Sequence, residues 1–254
     1  MNGKIAWINY IIYKRNKSIS ATLLIFETAT EACSVALSYR DCIFERYQFV
    51  LQKHSELILP MAHALLAESG VTLANLDALV LNRGPGSFTG VRLASSVIQA
   101  IALAFDLPVI LISSLQNLAQ AVYHAHGVTH VLAALDARMQ QIYWSNFILD
   151  SQQHMQAQAE ESVIAPETIV LSQSDQTCIW VGAGSGWDRY HDALSFALTD
   201  RVCRWIPDCY PKASASVVLA QRQYDQGNFV SAQNALPVYV RDEIAKKSGK
   251  CTHG

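Results

Sequence analysis

The chain has 254 residues and a mass of 28.0 kDa, with 51% apolar and 16% charged residues, the composition of a globular protein with a sizeable core. A net charge of −2 at neutral pH leaves no surplus of cations to neutralise a phosphate backbone, which argues against sequence-independent nucleic-acid binding by this chain alone. Six cysteines (Cys33, Cys42, Cys178, Cys203, Cys209, Cys251) without any CxxC pair argue against a zinc knuckle or disulfide framework and fit a reducing cytoplasm.

Residues 1–22 read as a flexible extension: the apolar stretch IAWINYIIY is followed by basic KRNK, the reverse of a signal peptide, and falls short of the roughly 20 apolar residues of a membrane span. Strands are predicted at 23–28, 33–38 and 42–50, joined by short turns into an antiparallel meander. Ser55 is placed to cap a helix over 55–69, with Gly70 as its stop and Pro60 bending it or disturbing its first turn. A strand at 78–81, the loop RGPGSFTGVR (83–92), a helix over 91–105, a strand at 109–113 and a helix over 115–125 complete the order of a ribonuclease-H-like unit. The pattern then restarts. VLAALDARMQQIYWSNFIL (131–149) reads as a second hairpin in which Asp136 precedes Ile142 by six residues, as Glu27 precedes Cys33. Residues 151–162 read as a loop, 180–187 as a strand entering a glycine-rich turn, 214–225 as a helix stopped by Gly227, and 237–247 as a strand running into a basic tail.

The 83–92 loop fails as a Walker A motif, which needs a lysine it lacks, and supplies only two glycines of a dinucleotide fingerprint. Two readings stay open: an anion or nucleotide loop built on Gly84, Gly86, Ser87 and Thr89, or a tight turn in which Ser87 or Thr89 caps the following helix. That helix has no charge from Leu93 to Phe105 and carries two apolar stripes: Val91, Ala94, Ile98, Ile101 and Phe105 on one side, Leu93, Val97, Ala100 and Ala104 on another. The 55–69 helix repeats the theme with Leu57, Met61 and Leu65 against Ile58, Ala62 and Leu66. Leaving a second stripe wet forfeits about 1.5–3 kcal/mol per large side chain, so a covering surface is expected, from a partner or from the second half of the chain. Leu57, Ile58, Met61, Leu65, Val91, Ala94, Ile98 and Ile101 are the partner-binding candidates. His124, His126 and His130 have metal-like spacing but no carboxylate or cysteine beside them, and no nucleophilic triad is evident, so neither a catalytic residue nor a metal ligand is assigned.

Several segments together resemble one family. LIFETATEACSVALS (24–38), HSELILPM (54–61), RGPGSFTGVR, LDARMQQIYW (135–144) and PVYVRDEIAKK (237–247) are similar to the bacterial TsaB (YeaZ) proteins, over about 23–247. The resemblance implies an α/β, actin-like ATPase (ASKHA) fold of two ribonuclease-H-like lobes with mixed sheets and flanking helices, divided here at 23–127 and 128–254. It further implies a cytoplasmic, non-catalytic scaffold for TsaD in making N6-threonylcarbamoyladenosine, the base 3′ of the anticodon in tRNAs reading codons that start with A. TsaE joins as an ATPase; ATP and magnesium are used by partner proteins, and no cofactor is required by this chain. The paralogue TsaD carries an H-x-x-x-H metal pair where this chain has Ser114 and Leu118, and the glycines of phosphate-binding turns are missing from ETAT (27–30) and DARM (136–139). Glu27 also replaces the family's usual Asp. GAGSG (182–186) stays compatible with a nucleotide edge. A homodimer is expected where TsaD is absent, no membrane association is expected, and Arg241, Lys246 and Lys247 are candidates for tRNA contact. The alternative is a nucleotide-dependent small-molecule kinase or ATPase of the same fold.

Overall fold

The structure is a computed structural model that describes residues 21–171 and 179–240; all but the last two residues of the N-terminal extension, together with Arg241, Lys246 and Lys247, lie outside the described residues. β1 (Leu23–Glu27), β2 (Ala32–Tyr39) and β3 (Cys42–Phe49) form the expected meander. The β2–β3 hairpin turns on Arg40 and Asp41, both at positive φ, the geometry that matches the strands' own twist. β4 (Ala78–Asn82) and β5 (Val109–Ile112) add in parallel, giving the order β3-β2-β1-β4-β5. Every residue of β1 is buried because helices cover both faces of the sheet, and its unbroken apolar run follows from that.

The second sheet repeats the plan. β6 (His130–Asp136), β7 (Ile142–Leu149) and β8 (Met155–Ala157) are antiparallel, β9 (Ser162–Ile164) pairs with the other end of β7, and β10 (Trp180–Ala183) and β11 (Val202–Ile206) lie parallel beside β6. Its order, β11-β10-β6-β7-β8, mirrors the first sheet strand for strand. The segment 151–162, expected to be loop, contains β8 and the start of β9: its polar residues hid strands only three residues long, whose pairing comes from β7 rather than from their own pattern.

α1 (His54–Ser69) and α2 (Phe88–Phe105) pack on one face of the first sheet, and α4 (Ser185–Leu198) on one face of the second. α1 begins one residue before Ser55, after Lys53 at φ 105°, so Ser55 is inside the helix and caps nothing; Gly70 closes it as expected. By length and composition α2 could cross a bilayer, yet Ala94, Ile98 and Ala102 are buried in the first-lobe core.

The two remaining helices change places. α3 (Ser114–His126) follows the first sheet but packs Leu115, Leu118, Ala119 and Val122 against Val131, Ala133 and Leu135 of the second. α5 (Ala213–Asp225) follows the second sheet but packs Ala213, Val217 and Ala220 against Leu23, Ile25, Val80 and Ile110 of the first. A division at 127/128 therefore separates the sheets but cuts across the packing. Chain order could not show this, because an apolar helix face does not specify which sheet it covers.

Buried polar side chains fix the exchange. Asn117 on α3 donates through Nδ2 to Ser216 Oγ on α5 (2.6 Å), which donates to Asn82 Oδ1 at the end of β4 (2.7 Å), and Asn82 Nδ2 donates to the Phe26 carbonyl (3.1 Å). Asn117 also clasps the Lys212 backbone, accepting from its N–H at 2.8 Å and donating to its carbonyl at 2.9 Å. Beside it, the buried Glu45 carboxyl accepts from Ser34 Oγ and from the N–H and Oγ of Ser214 in the first turn of α5, and burial holds its pKa above the usual carboxylate range despite these hydrogen bonds. Asn117→Leu strands the amide partners in a dry junction and is expected to cost about 2–4 kcal/mol in denaturant unfolding. Exposed Gln226→Ala serves as the control, with a change within about 0.5 kcal/mol.

Candidate functional site

The corresponding turns of the two sheets face each other across a cavity of about 840 Å³. The β1–β2 turn (28–31), the start of α1, the 83–90 loop and the β6–β7 turn (136–141) surround it, with Ser185, Val238 and Tyr239 on its wall. The 83–90 loop is stitched to the β1–β2 turn: Ser87 N–H donates to the Ala29 carbonyl (2.7 Å) and Thr28 Oγ1 to the Gly90 carbonyl (2.8 Å). A Cβ on Gly90 would stand 1.9 Å from the Thr28 oxygen, and one on Gly86 would stand 2.3 Å from the Ala29 oxygen, so these glycines are required by backbone approaching backbone. Ser87 caps α2, accepting from Gly90 N–H at 3.4 Å. Thr89 is exposed on the cavity wall, and buried Gly84 lies at φ 91° beside a cis bond to Pro85. Of the 182–186 glycine run, Ser185 lines the cavity, while its Oγ accepts from Asp136 N–H at 3.1 Å.

The equivalent acids at the ends of β1 and β6 have opposite surroundings. Glu27 is fully buried; Oε1 accepts from Ala29 N–H at 2.6 Å and Oε2 from Ser114 Oγ at 2.9 Å. Burial pushes its pKa up to about 7 against the pull of these hydrogen bonds. Both oxygens are occupied behind the turn, which does not suit a ligand of metal or phosphate. Asp136 opens on the cleft and pairs with Arg189 (3.0 Å) and Arg138 (3.3 Å), and Arg138 reaches across to Glu31 at 3.5 Å. Ser114 and Leu118 are both buried, Ser114 holding Glu27 and Leu118 in the core between α3 and the second sheet. His124 lies against Gln120 and Tyr123, and His130 packs edge-on to Trp180. Among the described residues no group of three or more His, Cys, Asp or Glu could hold a metal.

The expected partner-binding residues are mostly interior. Leu57, Ile58, Met61, Leu65, Val91, Ala94 and Ile98 are buried, all but Val91 in the core of the first lobe; of the eight, only Ile101 is half-exposed. On α1 both predicted stripes are interior apart from Leu66, whereas on α2 the stripe of Leu93, Val97, Ala100 and Ala104 is the one turned toward solvent. Half-buried Leu66, Leu93, Val97 and Ile101 edge the core, and Leu59 and Leu103 stand in water at 52% and 74% exposure. Both stripes were visible as patterns, but two equally apolar faces give no signal for which of them meets the sheet. Lys53, Arg138 and Tyr239 lie on the cavity wall and were not named as site residues: Lys53 carried no motif, while Arg138 in DARM and Tyr239 in PVYVRDEIAKK were read only as parts of their segments.

The raised pKa of Glu27 sets a pH dependence. The native state holds this proton more tightly than the unfolded chain, so the contribution is fully present below about 4.5 and is lost as pH rises to about 7. The total is on the order of 3 kcal/mol. Glu27→Gln removes it, and urea unfolding at pH 5 and pH 8 should show the parent losing more stability than the variant; parallel losses would contradict the assignment.

A family model for TsaD, the tRNA N6-adenosine threonylcarbamoyltransferase, matches residues 48–247. The chain is 35% identical over 225 residues to the tRNA threonylcarbamoyladenosine biosynthesis protein TsaB of Escherichia coli (strain K12), and 36% identical over 233 residues to the TsaB of Haemophilus influenzae. Each alignment covers 89% of this chain and 96% of the relative. The solved structure of YeaZ from Pseudomonas aeruginosa superposes with a TM-score of 0.80 at 38% identity, covering 87% of this chain and all of that one.

Proposed function

The chain belongs to the TsaB (YeaZ) family, and from that premise we propose that it serves tRNA threonylcarbamoyladenosine biosynthesis in the cytoplasm as a non-catalytic partner of TsaD. TsaE acts with the pair as the ATPase, tRNA is met through the complex, and ATP and magnesium belong to the partners' chemistry. The observation that carries this reading is the apolar surface of α1 and α2: Leu59 and Leu103 stand exposed, and Leu66, Leu93, Val97 and Ile101 are only half-buried, a surface that the described residues leave partly open. Where TsaD is absent, the same surface pairs with a second copy. The 83–90 loop contributes by aiming and capping α2, and its glycines answer to the β1–β2 turn.

Val97→Glu places a charge on the half-exposed stripe and is expected to fold normally while weakening association with TsaD by more than about tenfold in a titration of the purified proteins. Ile98→Glu, one residue away in the core, is expected to unfold the chain. A folded Val97→Glu protein that binds TsaD with unchanged affinity would show that this face is not the docking surface.

A further inference from the structure

Residues 235–240 belong to neither sheet and pass from one lobe to the other. At one end Ala235 is buried in the first-lobe core, and its carbonyl accepts from Ser95 Oγ on α2 at 2.6 Å. In the middle, Val238 N–H donates to the Arg83 carbonyl at 2.9 Å. Tyr239 then lies against Phe88 with ring centroids 5.8 Å apart, and its hydroxyl accepts from Arg92 Nε at 2.6 Å. The Arg92 guanidinium sits 3.7 Å above the Phe88 ring and 5.3 Å from that of Tyr239, so one cation serves both aromatics. At the far end Val240 is buried with Ala137 of the β6–β7 turn and Val163 of β9, both in the second lobe.

The path matters because of what it crosses. Val238 and Tyr239 form part of the wall of the 840 Å³ cavity, opposite the β6–β7 turn. Two ion pairs among the described residues also join the cleft's two sides: Arg83 to Glu161 at 3.4 Å, and Arg138 to Glu31 at 3.5 Å with Arg138 well exposed. Pairs of the exposed kind hold weakly and are screened by salt. The 235–240 segment instead has a buried anchor in each lobe and, between them, a half-exposed aromatic and cation contact that can be exchanged with solvent at lower cost.

We propose that residues 235–240 are a strap that holds the two lobes together across the cleft, and that seating Tyr239 on Phe88 and Arg92 sets how far the cleft opens. With Tyr239 seated, the chain between Val238 and Val240 is taut and the β6–β7 turn stays close to the 83–90 loop. With Tyr239 released, the anchors at Ala235 and Val240 persist but the span between them lengthens, and the lobes separate about the junction of α3 and α5.

Amide hydrogen exchange on the full chain tests this with Tyr239→Ala and Tyr239→Phe. Release of the strap is expected to speed exchange by about tenfold in both lips of the cleft, 83–90 and 136–141, while β1 and β6 keep the parent's protection. Tyr239→Phe, which keeps the ring and loses the hydrogen bond, should give a smaller increase at the same two places. Val240→Ala, cut from the opposite lobe, should reproduce the pattern. Faster exchange in 83–90 alone would overturn the proposal, since Tyr239 would then be packing only on its own seat. So would unchanged rates at both lips, or faster exchange throughout the core strands.

Discussion

The exchange of α3 and α5 between the two sheets is the constraint on which the rest of the structure depends. Each lobe is completed by a helix from the other half of the chain, and the contact is dry and polar: Asn117, Ser216 and Asn82 pass hydrogen bonds from α3 through α5 to the ends of β4 and β1. An apolar junction would hold two helices together with less regard to register. Directional hydrogen bonds with every partner buried fix one arrangement, at the penalty of failing badly when any of them is lost. The cleft follows from this, because the same junction brings the β1–β2 and β6–β7 turns face to face.

Repetition of a fold does not repeat its chemistry. Apart from the extra β9, the two sheets share one strand order, and each carries an acid at the end of its first strand, yet Glu27 is sealed against Ala29 and Ser114 while Asp136 faces the cleft among arginines. Beside Glu27, the 83–90 loop lies directly on the β1–β2 turn through hydrogen bonds and glycine contacts, and Ser114 at the start of α3 holds the second carboxyl oxygen. The Ser87 N–H and the Gly90 carbonyl of this loop are taken by the β1–β2 turn, while Phe88 and Thr89 lie on the cavity wall.

Much of this architecture was legible in the sequence. The strand meander, the second hairpin at 131–149 and the glycine stop of α1 all follow from local pattern and turn chemistry, and the structure places them as expected. The exchange of helices was not legible, because periodicity reports that a face is apolar and not what it meets. The same gap explains the partner-binding residues: Ile98 and Val97 sit on adjoining apolar stripes of one helix, and only the sheet beneath decides that Ile98 is core and Val97 is half-buried at its edge. The strand expected over 237–247 is not present in its described part, 237–240, which joins neither sheet because the flanking Ala235 and Val240 are buried in different lobes, a fact that a short apolar run such as LPVYV does not reveal.

In the proposed role the chain offers a surface to a partner: α2 uses the stripe of Ala94 and Ile98 to build the first lobe and leaves Val97 and Leu103 toward solvent, while Glu27 turns both carboxyl oxygens inward behind the β1–β2 turn. The most direct test is formation of threonylcarbamoyladenosine on unmodified tRNA by TsaD, TsaE and the enzyme that makes the threonylcarbamoyl adenylate, with and without this protein. The account predicts product only when the chain is present, and none from the chain with the adenylate-making enzyme alone. Full activity without it, or product formed by it in the absence of TsaD, would contradict the account.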